Sequence, residues 1–189
     1  MELENRAVKA DKLIYERFSP RQFLNKDVNE EKVMMLFEAA RWAASSYNEQ
    51  PWFFIYAHNT RHSQTYKKLL SCLNDFNQDW AASAPLLMLT VVKTYFEKDG
   101  KTNRHAMHDL GLAMGNLTFQ ATKLNLKLHH MAGFDAHEAR ITFNIPEGFE
   151  PATMVAIGYS DENKTGRSRK SPEEFISTEK FEFDTAHAS

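Results

Sequence analysis

Ala43-Ala44-Ser45-Ser46-Tyr47-Asn48-Glu49-Gln50-Pro51-Trp52-Phe53-Phe54-Ile55 is the stretch on which the reading of this chain turns. An apolar helical run stops at its start, a polar turn follows with hydroxyl and amide side chains within reach of one point, and Pro-Trp leads into a short β-rich run. Helix end, ligand turn and strand start sit within a few residues, the kind of junction at which small cofactors are commonly held. Taken alone, the turn reads equally well as a solvated cap of the next element. The flanking sequence has to decide.

Upstream, Asn29 is a good cap for a helix in which Val33, Leu36, Phe37, Ala40 and Ala44 recur at helical spacing. Val8 to Tyr15 reads as a shorter helix, and the segment from Arg17 to Phe23 as irregular chain broken by Pro20. Downstream, Phe53–Ala57 reads as a strand and Gln64–Leu73 as a helix. Leu86–Val92 is apolar on both faces, which predicts a central strand in a sheet covered on both sides. His105–Leu124 is the longest predicted helix, with Gly111 and Gly115 four apart. Each glycine there costs about 1 kcal/mol, a cost that close approach of another helix, for example at a subunit interface, would offset. Leu126–Met131 and Thr153–Tyr159 read as further strands, with a turn at Gly133 to Asp135 and a short helix over Ala136–Phe143 between them. Helices interspersed with strands point to α/β or α+β with a layered sheet. The tail over 166–189 carries Phe175, Ile176, Phe181 and Phe183, which need a surface to dock on, and a partner subunit is one way to provide it.

With 189 residues and 42% hydrophobic content the chain is expected to be a single domain, 1–189, with an extended tail from Gly166. A net charge of -2 provides no field for a polyanion, so nucleic acid is not an expected partner. The lone cysteine, Cys72, excludes an intramolecular disulfide and suits a reducing compartment. No run is apolar enough for a bilayer span and the charged start does not read as a secretory signal, so no membrane is expected and the cytoplasm is the expected location.

Arg17, Ser19 and Arg21 alternate along an extended segment, so their side chains can point to one side, as phosphate or carboxylate recognition requires. The alternative is a surface cluster paired with Glu16 or Glu30. Arg167 and Arg169 repeat the pattern in the tail, and two separated pairs in a mildly acidic chain favour one shared dianion. His105 and His108 stand three apart beside Asp109, and His129 adjoins His130. Neither pair has a convincing further ligand, so hydrogen-bonded or surface histidines are favoured over a metal site. There is no nucleophile elbow for Ser45 or Ser46, no dinucleotide-binding glycine fingerprint and no phosphate loop of the Walker type.

The ordered set Arg17-Phe18-Ser19-Pro20-Arg21-Gln22-Phe23, Ala44-Ser45-Ser46-Tyr47-Asn48-Glu49-Gln50-Pro51-Trp52 and Met131-Ala132-Gly133-Phe134-Asp135 resembles the nitroreductase family of FMN-dependent enzymes. Asn77-Gln78-x-Trp80, Ala84-Pro85, Asp109-x-Gly111-x-Ala113 and Arg167-x-Arg169 fall in the same order as in that family, and the resemblance covers nearly the whole chain. It implies an α+β, nitroreductase-like fold with a central mixed sheet covered by helices. It also implies an obligate homodimer whose C-terminal tail reaches the partner, with FMN at the interface. On this resemblance Arg17, Ser19, Arg167 and Arg169 hold the FMN phosphate, with Phe18 beside them. Arg21 lies near the pyrimidine edge, where positive charge stabilises reduced flavin. Ser45, Ser46, Asn48 and Gln50 come from the other subunit. Asn77 bonds the flavin ring, Met131 lies alongside, and the Gly133 N–H approaches N5, where a side chain would crowd the flavin. The sequence departs from the family pattern at Phe18, at Ala44, at Asn125, where glycine is usual, and at Asp79 or Trp80, where some larger members carry lysine.

The activity implied is ping-pong electron transfer from NAD(P)H through FMN to an electron-poor acceptor such as a nitroaromatic or quinone, with no catalytic side chain and no metal. Reductive removal of a halogen or of an activated double bond draws on the same reduced flavin. A flavin-binding storage or regulatory protein, and an interaction protein whose arginines are surface charges, are the competing readings. Reduction by nicotinamide separates the first of these from the enzyme, and absence of flavin colour marks the second.

Overall fold

The computed structural model describes residues 9–163 and 166–179. Asn29 caps the first long helix as expected: its side-chain oxygen accepts from the Lys32 N–H at 3.0 Å, and Glu30 and Glu31 place negative charge at the helix start. This helix, α2 (Glu30–Arg41), buries Val33, Leu36 and Ala40 and ends before Ala44, which is exposed beyond it rather than continuing the apolar stripe. The short helix before it, α1, spans Lys12–Glu16 and is capped by Asp11. Its expected start at Val8 lies outside the described residues, and residues 9–11, expected to be helical, are not.

The sheet contains β1 (Trp52–His58), β2 (Leu86–Lys93), β3 (Lys127–Met131) and β4 (Phe149–Gly158) in the order β1-β2-β4-β3. Every pairing among the described residues is antiparallel, where a mixed sheet was expected. Side-chain patterning reports which faces are buried but not strand direction, and direction is what differs. β2 is central and buried at all eight positions, as its two-sided apolar sequence requires. Leu86, Met88 and Val92 face α2 and α5 (Ala106–Lys123), while Leu87, Leu89 and Val91 face α3 (Ser63–Ser71), α4 (Asp75–Ala81) and α6 (Ala136–Thr142). Each such aliphatic side chain contributes about 1.5–3 kcal/mol on burial.

The end of α5 depends on one residue. Asn125 has φ 59°, the Leu126 N–H reaches the Ala121 carbonyl at 2.8 Å, and the Asn125 N–H reaches that of Thr122 at 3.1 Å. These two bonds form a Schellman cap with asparagine at the left-handed position. Replacing Asn125 with alanine is expected to cost about 1 kcal/mol and with glycine to cost nothing or stabilise slightly. Thermal melts of the two variants check the opposite signs.

His58 closes β1 with its imidazole fully buried. Arg61 Nη2 lies 2.8 Å from its Nδ1, and a guanidinium can only donate, so the ring accepts there and stays neutral. Burial first, then the Arg61 charge, pushes the His58 pKa down against the opposing pull of Asp27 at 3.5 Å and Glu30 at 3.4 Å. With the folded pKa below the unfolded one, the unfolded chain binds the extra proton. Stability is therefore full above the ordinary value near 6.5, falls as pH drops through it, and levels off below the folded pKa. His58→Gln is expected to flatten that acid limb in urea melts taken between about pH 7.5 and 5; an unchanged limb would remove His58 as its source.

Candidate functional site

Three arginines from opposite ends of the chain meet around one cavity of about 410 Å³, lined by Arg17, Phe18, Ser19, Glu162, Asn163, Gly166, Arg167, Ser168 and Arg169. Arg17 follows α1, and its Nη1 donates to Ser19 Oγ at 3.0 Å. Arg167 donates to the backbone carbonyls of Arg17 and, at 2.7 Å, of Tyr15, which fastens the tail to the segment after α1. No carboxylate lies within ion-pair distance of Arg17, Arg167 or Arg169 among the described residues. Glu16 is paired with Lys12, and Glu30 accepts from Tyr56 and faces His58. Burial, then the Arg167 and Arg169 charges, push the Arg17 pKa down. Like charges gathered with no carboxylate at ion-pair distance among the described residues destabilise one another, and an anion in the cavity would offset that cost.

Arg21 does not line this cavity. Its guanidinium lies 5.0 Å from the Phe76 ring centre on α4, while its backbone N–H donates to Glu162 Oε2 at 2.8 Å. The expected one-sided row of Arg17, Ser19 and Arg21 is thus a pair plus a residue aimed elsewhere. Glu162 also takes the Gln22 N–H at 3.1 Å, so its carboxylate holds the 21–22 backbone in place. Phe18 and Met131 are core residues, 7% and 3% exposed, so a ligand meets mainly their backbone.

Gly133 lies after β3, in the turn leading to α6. Its carbonyl accepts from the Asn74 N–H at 3.1 Å and from Asn77 Nδ2 at 3.0 Å, while its own N–H has no acceptor among the described residues. A Cβ built on Gly133 would stand 2.5 Å from both Asn74 Nδ2 and Asn77 Nδ2, so any side chain here would force those two amides to shift. Asn77 Oδ1 in turn accepts from Trp80 Nε1 at 3.1 Å.

The Ser45–Gln50 turn is built from strained backbone: Tyr47, Asn48 and Gln50 have φ of 52°, 59° and 49°. Non-glycine residues in that region cost of order 1–3 kcal/mol each and persist only where surroundings hold them. Here Ser45 Oγ accepts from the Gln50 N–H at 3.0 Å, and Gln50 Nε2 donates to the Asn48 carbonyl at 3.0 Å. Asp109, only 2% exposed on α5, accepts the Ser46 N–H at 2.9 Å. Glu49 pairs with the buried Lys93 at 3.1 Å. No hydrogen bond joins the turn to the arginine cavity, and the Ser46 and Asn48 side chains have no partner among the described residues. The site residues therefore fall into three groups within one chain.

A family model described as the nitroreductase family matches residues 14–159. The chain belongs to the nitroreductase family. A crystal structure described as an oxidoreductase containing FMN superposes with a TM-score of 0.86 at 26% identity, covering 93% of this chain and 94% of that one. A Ralstonia nicotianae protein, provisionally named an NADH dehydrogenase/NAD(P)H nitroreductase, is 22% identical over 82% of this chain and 87% of its own length. An uncharacterised 15.4 kDa protein of Mycolicibacterium smegmatis is 32% identical over 51% of this chain, a match that spans 63% of that relative. The nitroreductase-family motifs quoted from the sequence are thus carried on the fold that the family shares.

Asp109, Glu162 and Trp80 were missed as supports of the site. Asp109 stood within a quoted motif and beside His108, to which it lies at 3.2 Å, but its role with Ser46 depends on a contact 63 positions away. Among the described residues no group of three or more His, Cys, Asp or Glu is placed to hold a metal ion, and no helix is long and apolar enough to cross a membrane.

Proposed function

We propose that this nitroreductase-family chain is an FMN-dependent oxidoreductase that draws electrons from NAD(P)H and reduces an electron-poor small molecule such as a nitroaromatic or quinone. The observation that carries the reading is the cavity where Arg17, Arg167 and Arg169 gather with no carboxylate at ion-pair distance among the described residues, which suits a phosphate dianion. The similarity to an oxidoreductase containing FMN and to a relative named for NAD(P)H supports the same reading. The residues present fit a phosphorylated flavin: a cationic cavity for the phosphate, and a Gly133 N–H that has no acceptor among the described residues.

In this reading Arg17, Ser19 and Arg169 hold the phosphate, and Arg167 both adds charge and fixes the tail. Arg21, carried toward α4, provides positive charge near the pyrimidine edge, and Asn77 and Gly133 present amide groups to the ring. FMN held there would supply the two-electron chemistry that links NAD(P)H to the acceptor in a ping-pong reaction. The chain's contribution is orientation and electrostatics, with no acid or base side chain required.

Ser45, Ser46, Asn48 and Gln50 serve the flavin of a second copy in a homodimer. Exposed apolar side chains support that association: Met34 and Met35 on α2, Trp42 just after it, Met107 and Phe119 on α5, and Phe175 and Ile176 on the tail. Gly111 and Gly115 have nothing within 4 Å of where a Cβ would stand, so the close approach expected of them is left for a partner. Phe181 and Phe183 lie outside the described residues.

The experiment is an anaerobic titration of FMN-loaded protein with NADH and NADPH. Bleaching of the yellow flavin by one of them, and its return on adding a quinone, is the expected result. Flavin that binds but stays oxidised with both nicotinamides would instead support a storage role.

A further inference from the structure

A chain of contacts joins the segment carrying Arg17, Ser19 and Arg21 to Gly133. The Pro20 carbonyl lies 2.8 Å from His129 Nδ1. A carbonyl can only accept, so that nitrogen carries the proton. Burial, as the first cause, lowers the His129 pKa and keeps the ring in this single-donor form near neutral pH. The His129 ring packs against the Trp80 indole with centroids 4.5 Å apart and planes at 37°. Trp80 Nε1 donates to Asn77 Oδ1 at 3.1 Å, and Asn77 Nδ2 donates to the Gly133 carbonyl at 3.0 Å. The indole N–H sets which way the Asn77 amide faces. Turned over, the amide would put its oxygen against the Gly133 carbonyl and its NH₂ against the indole N–H, losing both bonds.

We propose that Trp80 is a positioning residue of the flavin site: its N–H fixes the Asn77 amide and through it the Gly133 peptide, while its stack on His129 ties that peptide to the phosphate-binding arm. The proposal rests on the FMN reading above and adds a residue to it. The two functions of the indole are separable, because the N–H acts toward Gly133 and the ring face acts toward Pro20. Small displacements of groups that orient a reacting ring can cost a hundredfold in rate without loss of binding.

Trp80→Phe keeps a ring to pack on His129 and removes the N–H. It is expected to bind FMN within about threefold of the wild-type affinity, yet to show an altered flavin absorption spectrum and midpoint potential and roughly tenfold slower reduction by nicotinamide. His129→Leu, which breaks the stack and the Pro20 bond, is expected instead to weaken FMN binding about fivefold or more. Asn77→Asp keeps an acceptor for Trp80 but sets an oxygen against the Gly133 carbonyl, and must reproduce the spectral and potential shift even if Trp80→Phe does not fold. A Trp80→Phe protein with wild-type spectrum, potential and reduction rate overturns the proposal. So does a folded Trp80→Phe protein whose only change is a lower FMN affinity, or an Asn77→Asp protein with wild-type spectrum and potential. Failure of the wild-type protein itself to bind FMN overturns the functional reading and this proposal with it, and is seen before any variant is made.

Discussion

Arg17→Ala is expected to weaken FMN binding by roughly 10- to 150-fold, the equivalent of one charge-assisted hydrogen bond of about 1.5–3 kcal/mol. The same substitution is expected to leave the flavin-free protein as stable as wild type or more so. Arg17 faces Arg167 and Arg169 with no carboxylate at ion-pair distance among the described residues, and burial first, then these neighbours, disfavour its charge. Removing it relieves repulsion in the empty protein and removes attraction in the loaded one. Thermal melts with and without saturating FMN, alongside a fluorescence titration of FMN, measure both signs. A variant equally destabilised in both states would make Arg17 a structural residue. One with unaltered FMN affinity would place the phosphate elsewhere.

Gly133→Ala is the second large effect. The added methyl would stand 2.5 Å from two amide nitrogens, and neither is free to leave. Asn74 caps α4 by accepting the Asn77 N–H at 3.0 Å, and Asn77 is held between Trp80 and the Gly133 carbonyl. Gly133 does not have positive φ, so the objection to alanine is steric rather than conformational. Overpacking of this kind costs about 1–3 kcal/mol, or roughly 2–12 °C in melting temperature for a chain of this size. Because the methyl displaces the groups expected to face the flavin, FMN affinity should fall as well. Adding Asn77→Ala to Gly133→Ala should restore part of the stability. A Gly133→Ala protein with wild-type melting temperature would show that the two amides move at no cost.

The features legible in the sequence were those written in local pattern. Asn29 and the two-sided apolar run of β2 are revealed by spacing and composition, while the left-handed Asn125 was visible only through the family resemblance, as a position where glycine is usual. The gathering of Arg17 with Arg167 and Arg169 was legible as two separated basic clusters in a mildly acidic chain, although the alternation of Arg17, Ser19 and Arg21 held only for the first two. Strand direction was not, since hydrophobic alternation is the same for parallel and antiparallel pairing. Nor were Glu162 and Asp109: each accepts a backbone N–H from 141 or 63 positions away, and any acidic residue could have done so. The one-sided row broke down at Arg21 for a related reason. Its direction is set by the Glu162 contact and by Phe76, not by the alternation of its own segment.

The proposal that two copies share each flavin site is tested most directly by co-expressing two differently tagged variants, Arg17→Ala and Asn48→Gly, and isolating the mixed dimer. The glycine keeps the left-handed backbone at position 48 and removes only the amide side chain. If each FMN is held by the arginines of one copy and the turn of the other, both defects fall on one site and the other is intact. The mixed dimer should then bind a single FMN with wild-type affinity and reduce it with NAD(P)H, while each parent dimer binds weakly at both sites. A mixed dimer whose sites are both impaired, or variants that assemble no dimer at all, would contradict a flavin site shared between two chains.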